Sequence, residues 1–331
     1  MKILSIIGTR PQYIKIKPLY DYFNKCGLKH IIIDTLQHYT DNVSKNIIDD
    51  LSLNIDYNIE VSKEREIEFI SNTIEKIHNI LIKEKPDVVL VFGDTNSSFC
   101  AALTAYKLNI SVCHIEAGLR CGNKKVPEEV NRIYIDSVSS INFCSSKSSM
   151  NNLDNTAIYC GDLEYELLNS INPDIGFLNY GLMTIHRQSN CNSERIKLIM
   201  KFCESLEQKI VFPAHHRIKP FLKKVQIPEN IRIIEPVCYT DIVDLMSKAN
   251  FILTDSGSIQ KTSAFFGKKT LVFRKDIEWE ETEEEGYSRR FNDLAEDKKW
   301  VLDRLDRRNK FLYMSSGNPS EIIKKEILRW K

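Results

Sequence analysis

No run of apolar residues in this chain of 331 approaches the ~18 that a membrane-spanning helix needs, so no bilayer-embedded segment is expected. The apolar stretch Ile3 to Ile7 is too short for a signal-peptide core and is followed at once by Arg10-Pro11, so a cytoplasmic protein is expected. Charge of one sign is also missing: 46 basic and 45 acidic residues leave a net +1. Without a global field, nucleic acid and membrane surfaces are not expected partners, and an anionic substrate has to be caught by local groups. Nine cysteines (Cys26, Cys100, Cys113, Cys121, Cys144, Cys160, Cys191, Cys203 and Cys238) contain no C-x-x-C pair, and the seven histidines do not join them at zinc spacing. No metal and no disulfide framework follow from that pattern. Reduced thiols packed in apolar runs, as at Cys113 and Cys203, are the expectation. Low-complexity segments and short repeats are absent as well.

What remains is an ordinary globular composition, 42% hydrophobic and 27% charged, on a chain longer than one core usually holds. Two domains are expected. The most informative stretch runs from Asp87 to Arg120. The β-branched run after Asp87 stops at Gly93, Asp94-Thr95 stands where a helix begins, and a second apolar run, Ile110 to Ile115, follows at crossover distance. This is a βαβ unit. In an open parallel sheet the ligand crevice lies outside the carboxyl ends of the strands, where Asp94 and Glu116 both fall. The competing reading makes Asp94 a helix cap and Glu116 a loop charge.

Taken in order, Met1 to Ile7 reads as a first strand broken at Gly8-Thr9-Arg10-Pro11, with a helix from Gln12 to Lys25. Arg10 and Lys15 then stand near a helix amino terminus, a place that attracts phosphate, unless they are simply solvated charges. A strand from His30 to Thr35, a Gln37-His38 loop and mixed segments to Leu53 follow. Lys63 to Lys85 carries Ile67, Ile70, Ile74, Ile77 and Leu81 as a helical stripe ending at Pro86. After Arg120, Pro127-Glu128-Glu129 reads as a helix start, where both acids are favoured by the helix dipole alone. Strands near Ile141 to Cys144 and Ala157 to Tyr159 close the first layer, and Asn169 to Gly176 reads as a linker.

The second half repeats the alternation. Tyr180 to Thr184 leads to His186-Arg187, then a helix with Ile196, Ile199, Met200, Cys203 and Leu206; Ile210 to Phe212 runs into His215-His216-Arg217; Ile231 to Ile234 precedes a helix from Thr240 to Lys248. Phe251 to Thr254 stops at Asp255-Ser256-Gly257-Ser258, whose backbone N–H groups at a helix start suit an anion, although any helix cap shows this pattern. Leu271 to Phe273 is the last clear strand. The acidic run Glu278 to Glu285 reads as a solvated surface, and Ser320 to Trp330 as an amphipathic helix.

Together these segments resemble the UDP-N-acetylglucosamine 2-epimerase family. The resemblance rests on Ile7-Gly8-Thr9-Arg10-Pro11-Gln12-Tyr13-Ile14-Lys15, Gln37-His38, Gly93-Asp94-Thr95-Asn96, His114-Ile115-Glu116-Ala117-Gly118-Leu119-Arg120, Pro127 to Arg132, His186-Arg187 and Leu253 to Gln260. They occur in family order over residues 1 to about 285. The resemblance implies an α/β protein of GT-B fold, two Rossmann-like domains with parallel sheets facing a central cleft. The first spans 1–169 and the UDP-binding second 170–331, with the last helix packing back on the first.

The implied reaction inverts C2 of a UDP-linked N-acetylated sugar without a cofactor, by loss of UDP to a 2-acetamidoglucal and re-addition on the other face. Because C2 is not acidic, its proton leaves only as the C1–O bond breaks, with cations holding the departing UDP. Carboxylates then serve as acid and base. On motif correspondence the catalytic candidates are Asp94, Glu116, Glu128, Lys15 and His186. Arg10, Arg132, Arg187, His215, Ser256, Gly257, Ser258 and Thr262 are the substrate-binding candidates. The resemblance further implies a homodimer.

The chain departs from the family pattern in several places. Ser258 replaces Gly, Thr262 occupies the position of a Glu that resembles a ribose clamp, and Gln188-Ser189-Asn190 stands where a Glu is usual. Weaker nucleotide binding is expected, because a hydroxyl lacks a carboxylate's two-point acceptance. Glu68 and Ser71-Asn72 also differ from common family residues. Arg10-Pro11-Gln12-Tyr13-Ile14-Lys15, Asp94-Thr95-Asn96-Ser97, Gln260-Lys261 and Glu278-Trp279 look closer to the epimerases of UDP-2,3-diacetamido-2,3-dideoxy-glucuronic acid. Three other readings stand beside the reversible epimerase: a hydrolysing relative that releases UDP and free N-acetylmannosamine, a UDP-sugar-binding paralogue without turnover, and a glycosyltransferase that leaves the carboxylate at Glu128 unexplained.

Overall fold

The computed structural model describes residues 1–37, 43–61, 65–274, 279–303 and 318–330. His38, Lys63 and Glu278, quoted above, lie outside the described residues. The chain divides into two compact units, Met1–Ser170 with Met314–Lys331, and Ile171–Tyr313.

The first unit is a parallel sheet of β1 (Lys2–Ile7), β2 (Lys29–Asp34), β3 (Tyr57–Asn58), β4 (Val88–Phe92), β5 (Ser111–Ile115), β6 (Ile141–Cys144) and β7 (Ala157–Tyr159). Its strand order is β3-β2-β1-β4-β5-β6-β7. Connecting helices are α1 (Arg10–Lys25), α2 (Val43–Asp50), α3 (Glu66–Glu84), α4 (Asn96–Lys107), α5 (Pro127–Val138), α6 (Lys147–Met150) and α7 (Leu163–Ile171). Helices on both faces explain why β4 reads as an unbroken apolar run: every residue of Val88-Val89-Leu90-Val91-Phe92 is buried.

The second unit holds β8 (Gly181–Thr184), β9 (Ile210–Pro213), β10 (Ile231–Ile234), β11 (Phe251–Thr254), β12 (Lys269–Val272) and β13 (Ser288–Arg290), in the order β10-β9-β8-β11-β12-β13. Its helices are α8 (Ser193–Ser205), α9 (Lys219–Leu222), α10 (Tyr239–Lys248), α11 (Gly257–Phe265), α12 (Glu280–Glu284) and α13 (Leu294–Leu302). The carboxyl-terminal α14 (Pro319–Arg329) belongs to the first unit. There the Glu166 carboxylate on α7 accepts the Ser320 N–H and hydroxyl, both at 2.8 Å, and so caps α14. On α1, the Tyr22 ring lies 5.5 Å from Lys324 Nζ of α14.

Both units share one winding. Strand order reverses between β1 and β4 in the first sheet and between β8 and β11 in the second. At such a switch point the two flanking connections leave on opposite faces and open a crevice at the strands' carboxyl ends. Asp94 and Glu116 stand beside the first of these places, and His186, Ser256 and Gly257 beside the second.

Several elements depart from the sequence reading. In α3 the stripe through Ile67 is offset: Ile67 is 69% exposed, and the buried face is Phe69, Thr73, Ile77 and Leu81. The run 69, 73, 77, 81 advances by four, so it continues the Ile77 and Leu81 face farther than the Ile67 row does. Helix α7 continues to Ile171, into the expected linker, and α2, β3, α13 and β13 add elements that sequence patterning had not marked. The acidic run includes α12, whose Thr282 is buried.

His30 on β2 packs edge-on against Phe23, its Nε2 lies 2.8 Å from Ser5 Oγ, and its buried Nδ1 has no hydrogen-bond partner. Burial pushes its pKa from 6.5 down to about 4. The unfolded chain therefore takes up a proton near pH 6.5 that the folded chain refuses until about pH 4. This contribution is complete above pH 6.5 and is lost between the two values. For a half-buried ring the expected loss is on the order of 1–3 kcal/mol. Urea unfolding at pH 7 and pH 4.5 measures it; in His30→Gln this component disappears, and an unchanged pH dependence refutes the assignment.

Candidate functional site

At the first switch point the turn after β1 meets the turn after β4, and Gln12 joins them. Its Oε1 accepts the N–H groups of Gly8 at 2.8 Å and Thr9 at 3.1 Å, while its Nε2 donates to Phe92 O at 2.7 Å. Helix α4 is capped by Thr95, whose Oγ1 accepts the Ser98 N–H at 3.2 Å. Asp94 is therefore not the cap, which removes the competing account of that residue.

Glu116 follows β5 in a left-handed backbone conformation, φ +68°, unusual for a residue with a side chain. Such strain persists where surrounding structure enforces it and is common at functional sites. The Gly93 N–H donates to Ile115 O at 2.9 Å, tying the two turns together, and a Cβ built on Gly93 would lie 3.4 Å from Glu116 Oε2. The two carboxylates are thus neighbours, each with its own cation: Lys15 Nζ pairs with Glu116, and the Arg132 guanidinium pairs with Asp94. Burial raises the Asp94 pKa, and the Glu116 charge adds to the rise while Arg132 opposes it. Arg10 is exposed in the first turn of α1.

Helix α5 holds this arrangement from behind. Glu129, Arg132 and Asp136 follow one another at spacings that share a helix face. Glu129 is buried; its carboxylate accepts the Cys121 N–H at 2.9 Å, the Gly122 N–H at 3.1 Å and Arg132 at 2.7 Å. Burial alone would raise its pKa, but these donors outweigh it and hold the carboxyl below the usual range. Glu128 is exposed and has no hydrogen bond or ion pair among the described residues. Of two adjacent acids that look alike as helix-start charges, one anchors the loop and the guanidinium, and the other remains open to a ligand. Arg132, expected among the substrate contacts, is engaged by Glu129 and Asp94.

Asp136 anchors the same two turns. Its Oδ1 lies 2.7 Å from His114 Nδ1 and its Oδ2 accepts from Arg120 at 2.6 Å, while His114 Nε2 meets Gly93 O at 2.8 Å. Burial works against the Asp136 charge, yet His114 and Arg120 hold its pKa below the usual range. In the sequence His114 and Arg120 stand inside the His114 to Arg120 motif, which by itself assigns them no role. Asp136 had no signal beyond being an acid on a helix.

At the second switch point His186 follows β8 and Asp255 follows β11. Asp255 is fully buried and accepts the N–H groups of His186 and Arg187, at 3.1 and 2.9 Å, and the Asn190 amide at 2.9 Å. The His186 ring is 39% exposed, with His215 6.1 Å away centroid to centroid. Arg187 is exposed and His215 partly so. Ser256 caps α11 through its Oγ, which accepts the Ile259 N–H at 3.4 Å, so Gly257 and exposed Ser258 begin the helix. Free N–H groups at such a terminus favour an anion.

Thr262 is buried, its hydroxyl donating to Ser258 O at 2.8 Å within the helix. The Lys261 ammonium sits 5.2 Å from the Trp279 ring, and Gln260 Nε2 donates to Trp279 O at 3.2 Å. Residues that pointed to the glucuronate branch are therefore in contact. Among the described residues no helix is long and apolar enough to cross a membrane, and no three His, Cys, Asp or Glu side chains gather as metal ligands.

The family profile described as UDP-N-acetylglucosamine 2-epimerase matches residues 23–310. A UDP-N-acetylglucosamine 2-epimerase homolog of Methanococcus maripaludis is 37% identical over 315 residues, covering 87% of this chain and 88% of the relative. UDP-2,3-diacetamido-2,3-dideoxy-D-glucuronate 2-epimerase of Pseudomonas aeruginosa is 33% identical over 302 residues, 85% of each chain. The crystal structure of Methanocaldococcus jannaschii UDP-GlcNAc 2-epimerase in complex with UDP-GlcNAc and UDP superposes with a TM-score of 0.84 at 31% identity, over 100% of both chains.

Proposed function

Because this chain belongs to the UDP-N-acetylglucosamine 2-epimerase family, we propose that its first-unit carboxylates invert C2 of a UDP-linked N-acetylated sugar by eliminating UDP and adding it back. The observation that carries this reading is the neighbouring pair Asp94 and Glu116, each held by a separate cation. Two carboxyl groups in different electrostatic surroundings are what a paired acid and base require. Asp94, whose burial favours the protonated form, acts as the acid, and Glu116, ion-paired with Lys15, acts as the base. Exposed Glu128 is the third acid/base group, reaching the sugar from the first turn of α5.

As the C2 proton passes to a carboxylate, the C1–O electrons leave with UDP and a C1–C2 double bond remains. Reprotonation of C2 on the opposite face and return of the diphosphate oxygen to C1 complete the inversion. His186 and the amino terminus of α11 take the diphosphate. The names of the two relatives described above refer to differently substituted sugars. The likeness of Gln260-Lys261 and Trp279 to the 2,3-diacetamido-glucuronate epimerases supports that substrate beside plain UDP-N-acetylglucosamine.

Proton NMR of the purified chain with UDP-GlcNAc in deuterated water tests this. Deuterium entering C2 with a UDP-ManNAc signal supports the epimerase on the simpler sugar, while free sugar with UDP selects the hydrolysing reaction. Exchange seen only with the 2,3-diacetamido-glucuronate nucleotide selects that branch. No exchange with either substrate overturns the proposal.

A further inference from the structure

We propose that Asp255 is the positioning residue of His186, holding the neutral ring as the Nδ1–H tautomer so that Nε2 faces the ligand and UDP binds together with a proton. The inference deepens the proposed diphosphate site and rests on that reading.

His186 Nδ1 lies 3.1 Å from Asp255 Oδ1. A carboxylate only accepts, so the proton in this contact belongs to Nδ1. Asp255 stays ionised: burial would raise its pKa, but the His186 ring, the Asn190 amide and the Arg187 N–H outweigh it and hold it below the usual range. The backbone N–H of His186 also donates to Asp255, so one buried carboxylate fixes both the main chain and the ring. Nε2 has no hydrogen-bond partner among the described residues, and the ring is 39% exposed.

His114 provides an internal contrast. It too contacts an aspartate through Nδ1, but it is fully buried and its Nε2 is occupied by Gly93 O. Of these two histidine–aspartate pairs, only the one in the second unit leaves a nitrogen for a ligand.

The consequence follows from the tautomer. With the proton on Nδ1, a neutral ring presents a lone pair at Nε2, which repels a diphosphate oxygen. The ring becomes a donor there only by taking up a second proton, which enters with the ligand. Among the described residues, His215 from the connection after β9 lies 6.1 Å away ring to ring, and Cys191 on the same segment, itself influenced by the Arg217 charge, donates its thiol to the His186 carbonyl. None of these supplies a second carboxylate.

The experiment is calorimetric titration of the full chain with UDP in buffers of different ionisation enthalpy, from pH 6 to pH 9. Wild type takes up protons on binding, and its affinity falls about tenfold per pH unit on the alkaline side. In Asp255→Asn the amide N–H faces Nδ1, so the neutral ring carries its proton on Nε2 and donates without uptake. The linked proton and the pH slope then disappear. Affinity that drops equally at every pH, with proton uptake intact, overturns the proposal in favour of a purely structural aspartate.

A measurement on wild type keeps the test independent of the variant's folding. In 15N-histidine-labelled protein, with the signal assigned by its loss in His186→Asn, neutral His186 is Nδ1–H; an Nε2–H form overturns the proposal. UDP binding by wild type without any linked proton refutes the dyad and leaves the family function standing, whereas no UDP binding at all removes the diphosphate site with it.

Discussion

Asp94→Asn and Glu116→Gln each lower turnover by about 10²–10⁴-fold, the range of a lost general acid or base, while UDP affinity changes less than about threefold. The substitutions are nearly isosteric, and both leave an oxygen to accept from the paired cation. Asparagine keeps an acceptor for Arg132, and glutamine keeps one for Lys15. Proton exchange is lost and geometry is retained, so the deficit appears in kcat and in the rate of deuterium entry at C2. Glu128→Gln gives the same class of loss under the proposed role, although that residue has no partner among the described residues. Full activity in all three variants refutes the site.

The pH profile separates the two carboxylates. Arg132 is the largest influence opposing the burial that raises the Asp94 pKa. Arg132→Met removes that opposition, so the limb of the pH–rate profile that reports Asp94 moves to higher pH. A limb that stays in place, or moves down, contradicts the acid assignment for Asp94.

The switch-point turns could be read from sequence because their determinants are local. A buried parallel strand is a short β-branched run, a glycine breaks it, and the polar residues that follow stand at the carboxyl end whatever the rest of the sheet does. That logic placed Asp94, Glu116, His186 and Ser256 correctly at strand ends. Short elements were less visible. Strand β3 has two residues and β13 three, Ser288-Arg289-Arg290, so neither offers enough alternation to stand out from a loop.

The supporting groups were illegible for another reason. Glu128 and Glu129 are the same residue type in the same helix turn, and what distinguishes them is the Cys121–Gly122 backbone folding back onto one of them. Asp136 and Asp255 likewise owe their roles to partners at least 16 residues away in sequence, such as Arg120 and His186. A burial-dependent contact of this kind has no periodicity to betray it. Thr262 shows the converse: the motif correspondence located the position, but the hydroxyl's bond to Ser258 O is visible only in the fold.

Gly118→Ala destabilises the first unit by on the order of 3 kcal/mol and lowers turnover beyond what the unfolded fraction explains. Gly118 has φ +78°, and a Cβ built there would lie 2.3 Å from Ser149 O and 2.9 Å from the Leu153 side chain. The first neighbour is backbone, in the short helix α6, so the contact is relieved only by moving one of the two segments. Gly27→Ala is the control: its φ is similar, +67°, but an added Cβ meets nothing within 4 Å. That variant bears the left-handed penalty alone, about 1 kcal/mol. The difference between the two in guanidinium unfolding isolates the steric part. The same displacement reaches the chemistry, because the Gly118 N–H donates to Asp136 Oδ1 at 3.3 Å and Glu116 is two residues upstream. Turnover is therefore compared at a temperature where both variants are fully folded. Equal stability and equal activity in Gly118→Ala and Gly27→Ala would show that the 116–120 turn yields freely, and with it the claim that its strained geometry presents Glu116 would fail.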